Sequence, residues 1–137
     1  MTHTLEKKVY YHDTDCGGVV YYANYLKYFE EGRTEYLTQL GIDLKTLSSQ
    51  GTWFVVKRVE IDYKGPARYA DILEIVTEVT RIRNVSIEFR QCILPKDKSK
   101  QGGSATALIE AKTTLVCIDA SFRPAAIDDS ILQRIHI

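Results

Sequence analysis

The chain has 137 residues, with 18 Lys plus Arg and 18 Asp plus Glu, so its formal net charge is zero with His neutral. That length fits one domain over residues 1–137, able to bury roughly two thirds of its unfolded surface in one core, and the balanced charge excludes the broad basic field that non-specific nucleic-acid binding needs. The opening MTHTLEKKVYY has no apolar leader and no long apolar run follows, so neither a signal peptide nor a membrane span is read, and the protein is expected in the cytoplasm.

Residues 5–12, LEKKVYYH, read as a short strand with Val9 and Tyr11 on one face and Tyr10 and His12 on the other. A polar loop containing DTDCGG follows. Over residues 22–40 the positions Tyr22, Leu26, Phe29, Tyr36, Leu37 and Leu40 recur at helical spacing and Gly41 supplies the stop, which predicts the one strong helix of the chain. Its length would be about 28 Å.

After SSQGT the period changes to two, which puts Val55, Lys57, Val59, Ile61 and Tyr63 on one face of a strand and Arg58, Glu60 and Asp62 on the other. KGPAR punctuates the chain before a second strand over about residues 72–82. Arg83 and Asn84 then turn it, and Val85, Ile87, Phe89 and Ile93 form the inner face of a third strand. PKDKSKQGG reads as a solvated hairpin tip despite Lys96, Lys98 and Lys100, because Asp97 interrupts the charge and Pro and Gly flank it. A fourth long strand is expected over about residues 104–118. One helix followed by antiparallel strands, each with one apolar face, is an α+β domain whose sheet packs on that helix.

Cys16, Cys92 and Cys117 are odd in number, widely spaced and without a C-x-x-C pair, which argues against a disulfide framework and a thiolate zinc site. Cys92 and Cys117 are expected as buried hydrophobes. The loop after the first strand places Asp13, Asp15 and Gly18 on positions 1, 3 and 6 of a calcium-loop pattern, but position 5 is Gly17, position 12 is Asn24, and no helix precedes the loop. His3, His12 and His136 have no metal-binding spacing. A serine hydrolase is poorly supported, since no G-x-S-x-G elbow occurs.

A carboxylate ahead of a helix amino terminus, beside glycines that permit a sharp turn, stands near unpaired N–H groups. Two readings stay open from spacing alone. Asp15 is a structural cap, contributing about 1 kcal/mol, or it is a nucleophile or general base facing a carbonyl polarised by those amides. Seven of the nine tyrosines fall within residues 10–36, concentrating amphipathic rings around this loop. Asp13 reads as a hydrogen-bonding partner within the turn.

DTDCGGVVYYANYLKYFEEGRTEYL, residues 13–37, resembles the signature of the hydroxybenzoyl-CoA thioesterase and YbgC-like acyl-CoA thioesterase family, with Asp15, Gly18, Val20, Asn24, Tyr25, Glu30 and Arg33 at the family's spacing. YKGPARYAD, RIRNVSIEF and LVCIDASFRP look like later segments of the same family, so the likeness covers nearly the whole chain. It implies the hot-dog fold, an antiparallel sheet wrapped around one long central helix, and hydrolysis of acyl-CoA thioesters without metal or organic cofactor. It also implies that Asp15 is catalytic and that the backbone N–H of Tyr22 holds the thioester oxygen. YbgC-like members commonly carry His where this chain has Tyr22, and an aromatic residue there resembles the hydroxybenzoyl-CoA branch.

The match of RIRNVS implies that Arg83, Arg81 and Ser86 lie near the CoA phosphates, and the family likeness implies a homotetramer built from dimers with active sites near the dimer interface. Two other functions compete. A hot-dog dehydratase would need a catalytic His, and residues 22–40 contain none. A non-catalytic module binding acyl-CoA or acyl carrier protein would keep the pocket without needing Asp15.

Overall fold

The computed structural model describes residues 1–97 and 106–137. Lys98, Lys100 and the expected start of the fourth strand near residue 104 lie outside the described residues. The chain forms β1 (Thr2–Lys8), a 3-10 turn (Tyr11–Asp13), α1 (Asn24–Gln39), α2 (Leu44–Ser49), β2 (Trp53–Tyr63), β3 (Ile72–Ile82), β4 (Ser86–Pro95), β5 (Ile109–Ile118) and α3 (Asp129–Leu132). The five strands make one antiparallel sheet in the order β1-β3-β4-β5-β2, and α1 packs across it. This is the hot-dog arrangement expected from the family likeness.

The long helix buries Tyr25, Tyr28, Phe29, Gly32, Arg33, Tyr36 and Leu37 against the sheet. It stops at Gly41, whose φ of +78° is the left-handed conformation that glycine adopts without a Cβ clash. The helix lies so close to the sheet at Gly32 that a Cβ there would stand 2.9 Å from Ile75 Cγ2 and Thr77 Oγ1. At this crossing the inner face carries a polar belt rather than apolar packing. The Gln91 amide donates to Phe29 O and Thr77 Oγ1, both at 2.9 Å, and accepts from Arg33 Nη1 at 3.1 Å. The belt divides the apolar interior in two, one cluster around Tyr25, Tyr28, Phe29, Leu73 and Ile93 and the other around Tyr36, Leu37, Phe89, Ile127 and Ile131.

Several sequence expectations need correction. The first strand begins at Thr2 and ends at Lys8, because Tyr10 N–H is captured by Asp13 Oδ2 at 2.8 Å and the chain turns there. Tyr11, expected on the same face as buried Val9, is 73% exposed. Helix α1 starts at Asn24, so Tyr22 lies ahead of it, and Tyr22 and Leu26 are exposed while Tyr25 and Tyr28 supply the buried stripe. Strand β2 has a bulge between Val56 and Arg58 that inserts Lys57. An extra residue switches the period-two phase, so Phe54 packs inward where Val55 was expected, and Val59 and Ile61 resume the expected face. Cys117 is buried and Cys92 half-buried, with burial pushing both thiols up. The short helices α2 and α3, capped by Asp43 and Asp128, are additional to the single helix expected.

Candidate active site

The loop between β1 and α1 is folded by its own backbone. Asp15 N–H donates to Val19 O at 2.9 Å and Gly18 N–H to Asp15 O at 3.1 Å, closing a tight turn around Cys16 and Gly17. Gly18 sits at φ +77°, which a side chain would strain. The far arm of the turn is fastened to the segment before β3, since Val20 N–H donates to Ala67 O at 2.8 Å and Val19 pairs with Arg68.

The two aspartates of the loop have different surroundings. Asp13 is drawn into the scaffold. Its carboxylate accepts from Tyr10 N–H, and its carbonyl accepts from Tyr21 N–H at 2.9 Å and from the Asn24 side-chain amide at 2.8 Å. It thereby ties the 3-10 turn to the start of α1. Asp15 is exposed. One of its oxygens accepts from Gly17 N–H at 2.8 Å, and among the described residues the other takes no hydrogen bond.

At the amino terminus of α1, Asn24 N–H is used by Tyr21 O, whereas no hydrogen bond among the described residues engages Tyr22 N–H. Ala23, at the cap position, has no side chain that could occupy the free amides. The helix therefore presents unpaired N–H donors and the positive end of its dipole beside the Asp15 loop.

Tyrosines form one wall of this corner. The rings of Tyr21 and Tyr22 lie 4.9 Å apart, Tyr22 meets Tyr63 edge-on at 6.3 Å, and Tyr63 approaches Tyr25 at 5.9 Å. Strand β2 thus delivers its last residue to the helix start. The Tyr25 hydroxyl accepts from Ala67 N–H at 3.1 Å. Burial pushes its phenol up, the Ala67 bond pulls it back, and the negative charges of Asp71 and Asp15 add to the rise. Burial likewise raises Tyr28, with the Asp13 carboxylate adding to it.

A groove of about 920 Å³ runs along α1, lined by Asn24, Leu26, Glu30 and Arg33 and across from them by Val56 and Val59 of β2. Arg33 is buried at its base, and burial lowers its tendency to hold the proton. Sequence reasoning had placed Arg33 only in a motif. The signal that could have revealed its setting is Gln91, a polar residue between Phe89 and Ile93 on the inner face of β4.

Arg81, Arg83 and Ser86 are brought together with one another but not with Asp15. Arg81 is next to the last residue of β3, across from Glu88, and Arg83 N–H donates to Ser86 O at 2.8 Å to close the β3–β4 turn. Both arginines are exposed and Ser86 is half-buried. The Asp15 loop adjoins the opposite end of β3, because Val9 N–H donates to Asp71 O and Val9 O accepts from Ala70 N–H there, just ahead of Ile72. Eleven strand residues separate the two ends, roughly 33 Å.

Residues 9–135 match the model of the thioesterase-like superfamily. The chain belongs to that superfamily. It is 39% identical over 126 residues to the acyl-CoA thioester hydrolase YbgC of Escherichia coli O157:H7, covering 91% of this chain and 89% of the relative. It is 37% identical over 131 residues to the acyl-CoA thioesterase YbgC of Haemophilus influenzae, covering 94% and 90%. The fold superposes on a crystal structure of a probable thioesterase from Bartonella henselae with a TM-score of 0.84 and 32% identity, over 93% of this chain and all of that one. The match spans every element of the candidate site, from Val9 before the Asp15 loop to the turn after β5.

Proposed function

We propose that the protein hydrolyses acyl-CoA thioesters to the free acid and CoA, with Asp15 as the catalytic carboxylate and the Tyr22 backbone N–H as the donor to the thioester oxygen. The observation that carries this reading is an exposed carboxylate with one oxygen, and a Tyr22 N–H just ahead of the helix, that no hydrogen bond among the described residues engages. A thioester has a good leaving group, so these two elements suffice. The amide stabilises charge developing on the carbonyl oxygen. Asp15 either attacks the carbonyl carbon, forming a mixed anhydride as the thiolate leaves, or takes a proton from the water that attacks. In the first route water then cleaves the anhydride and regenerates the carboxylate.

The YbgC relatives support acyl-CoA as the substrate class. Arg81, Arg83 and Ser86 are the proposed phosphate-binding group. Their separation from Asp15 of the same chain supports a site shared between copies, in which one subunit supplies the carboxylate and another the arginines. Strand β2 supports the dimer: it is an eleven-residue sheet edge with Trp53, Val56 and Tyr63 exposed along it, a surface that another strand would cover. The other edge, β1, carries Glu6, Lys7 and Lys8. A dimer of dimers is the proposed assembly.

The test is free-thiol release by the purified protein on a panel of aliphatic and aromatic acyl-CoA thioesters and on acyl carrier protein thioesters. Turnover of at least one acyl-CoA is expected. Binding of acyl-CoA without thiol release would replace the enzyme by a binding module.

A further inference from the structure

The turn that follows β5 holds an aromatic side chain in an unusual position. Phe122 has φ +63°, in the left-handed region where a bulky residue is strained, and it is 76% exposed. The strain is fixed by the surrounding turn. Asp119 Oδ1 accepts from Ser121 N–H at 2.9 Å and Arg123 N–H at 3.1 Å, Asp119 N–H donates to Arg123 O at 2.9 Å, and Phe122 N–H donates to Asp119 O at 3.0 Å. None of the ring pairs among the described residues includes Phe122. A glycine or asparagine would fit this backbone more easily, and the ring is left largely exposed.

What surrounds the turn indicates what the ring would meet. Cys117 N–H donates to Val85 O at 2.8 Å and Ile127 N–H to Asn84 O at 2.9 Å, so the segments flanking the Phe122 turn are laced to the β3–β4 turn. This end of the sheet carries Arg81, Arg83 and Arg123, all exposed, and among the described residues none of the three forms an ion pair. Three nearby acids are engaged elsewhere: Asp119 in its own turn, Asp128 at the cap of α3, and Glu88 with Lys112. A rigidly presented aromatic face beside unpaired guanidinium groups matches a flat heteroaromatic ring carrying phosphates.

We propose that Phe122 is the stacking platform for the adenine ring of CoA, presented beside the arginine-bearing β3–β4 turn to a thioester whose carbonyl lies at Asp15 of another copy. The inference rests on the acyl-CoA reading of the site and adds its nucleotide-end specificity.

The experiment compares wild type with Phe122→Ala, Phe122→Gly and Phe122→Trp. The first measurement is binding of free CoA by calorimetry, which needs no turnover. The second is thiol release from an acyl-CoA and from the same acyl-pantetheine thioester, which lacks the nucleotide. Phe122→Ala and Phe122→Gly are expected to weaken CoA binding at least about fivefold, as loss of a base–aromatic stack would, and to raise KM for the acyl-CoA but not for the pantetheine thioester. Phe122→Trp should restore both. Phe122→Gly should also raise Tm, because the backbone strain is relieved.

Unchanged CoA binding in Phe122→Ala would overturn the assignment, as would equal KM changes on both thioesters. A loss confined to acyl carrier protein substrates would assign the surface to a protein partner instead. A shift of the oligomeric state in Phe122→Ala would assign it to contact between copies. Absence of thiol release with CoA binding that still depends on Phe122 would leave the stacking role standing and remove the hydrolase reading, so the two failures are distinguishable.

Discussion

Replacing each of the two loop aspartates by asparagine separates chemistry from architecture. Asp15→Asn keeps the shape and an oxygen that can accept from Gly17 N–H, but removes the charge. Because Asp15 is exposed and its one hydrogen bond is local, the stability change should stay within about 0.5 kcal/mol. Its effect should fall on turnover, with kcat reduced at least about a hundredfold, or about 2.7 kcal/mol of transition-state stabilisation, while acyl-CoA still binds. Asp13 differs in kind. Its side chain is only 14% exposed and caps Tyr10 N–H, so Asp13→Asn should cost about 1 kcal/mol from the lost charge-assisted bond. For a domain of this size that lowers Tm by about 3–5 °C, with kcat affected much less. The measurements are thiol release under saturating acyl-CoA, calorimetric binding, and thermal melts of both variants. Asp15→Asn retaining more than about a tenth of wild-type kcat, or unfolding instead, would make Asp15 a structural cap. A folded Asp13→Asn with the larger loss of kcat would exchange the two roles.

Arg83→Ala should raise KM for an acyl-CoA several-fold more than for the matching pantetheine thioester, and equal effects would remove it from the phosphate group. Val56→Lys puts a charge on the exposed β2 edge and should dissociate the assembly in light scattering; a wild-type protein running as a fully active 15.6 kDa monomer would refute the shared site. Tyr25, Tyr28 and Tyr36 are held neutral by burial, with phenol pKa values raised above the usual 10. The stabilisation this represents is complete below about pH 10 and is lost as pH rises through the folded values. In an alkaline titration followed by tyrosinate absorbance, the three buried rings should therefore ionise only as the fold melts.

The sequence by itself carried the class of the fold and the candidate loop on which the proposed chemistry rests. Helical spacing ending at Gly41 and period-two alternation in β3 and β4 are local signals, since a helix or strand face is written in residues a few positions apart. The likeness running from Asp15 to Arg33 singled out one loop as the candidate site. Tertiary structure decided what depends on residues distant in the chain. The phase of β2 changed at Lys57 because a bulge exists only relative to the partner strand β5. Arg33, Gln91 and Thr77 became a buried belt because the helix meets the sheet at Gly32, a contact no local period encodes. The separation of Asp15 from Arg83 by the length of β3 followed from strand order. Asp13 reads from the sequence as a hydrogen-bonding partner within its turn, but its own partner, the Tyr10 N–H, and the open oxygen of Asp15 exist only in the folded backbone.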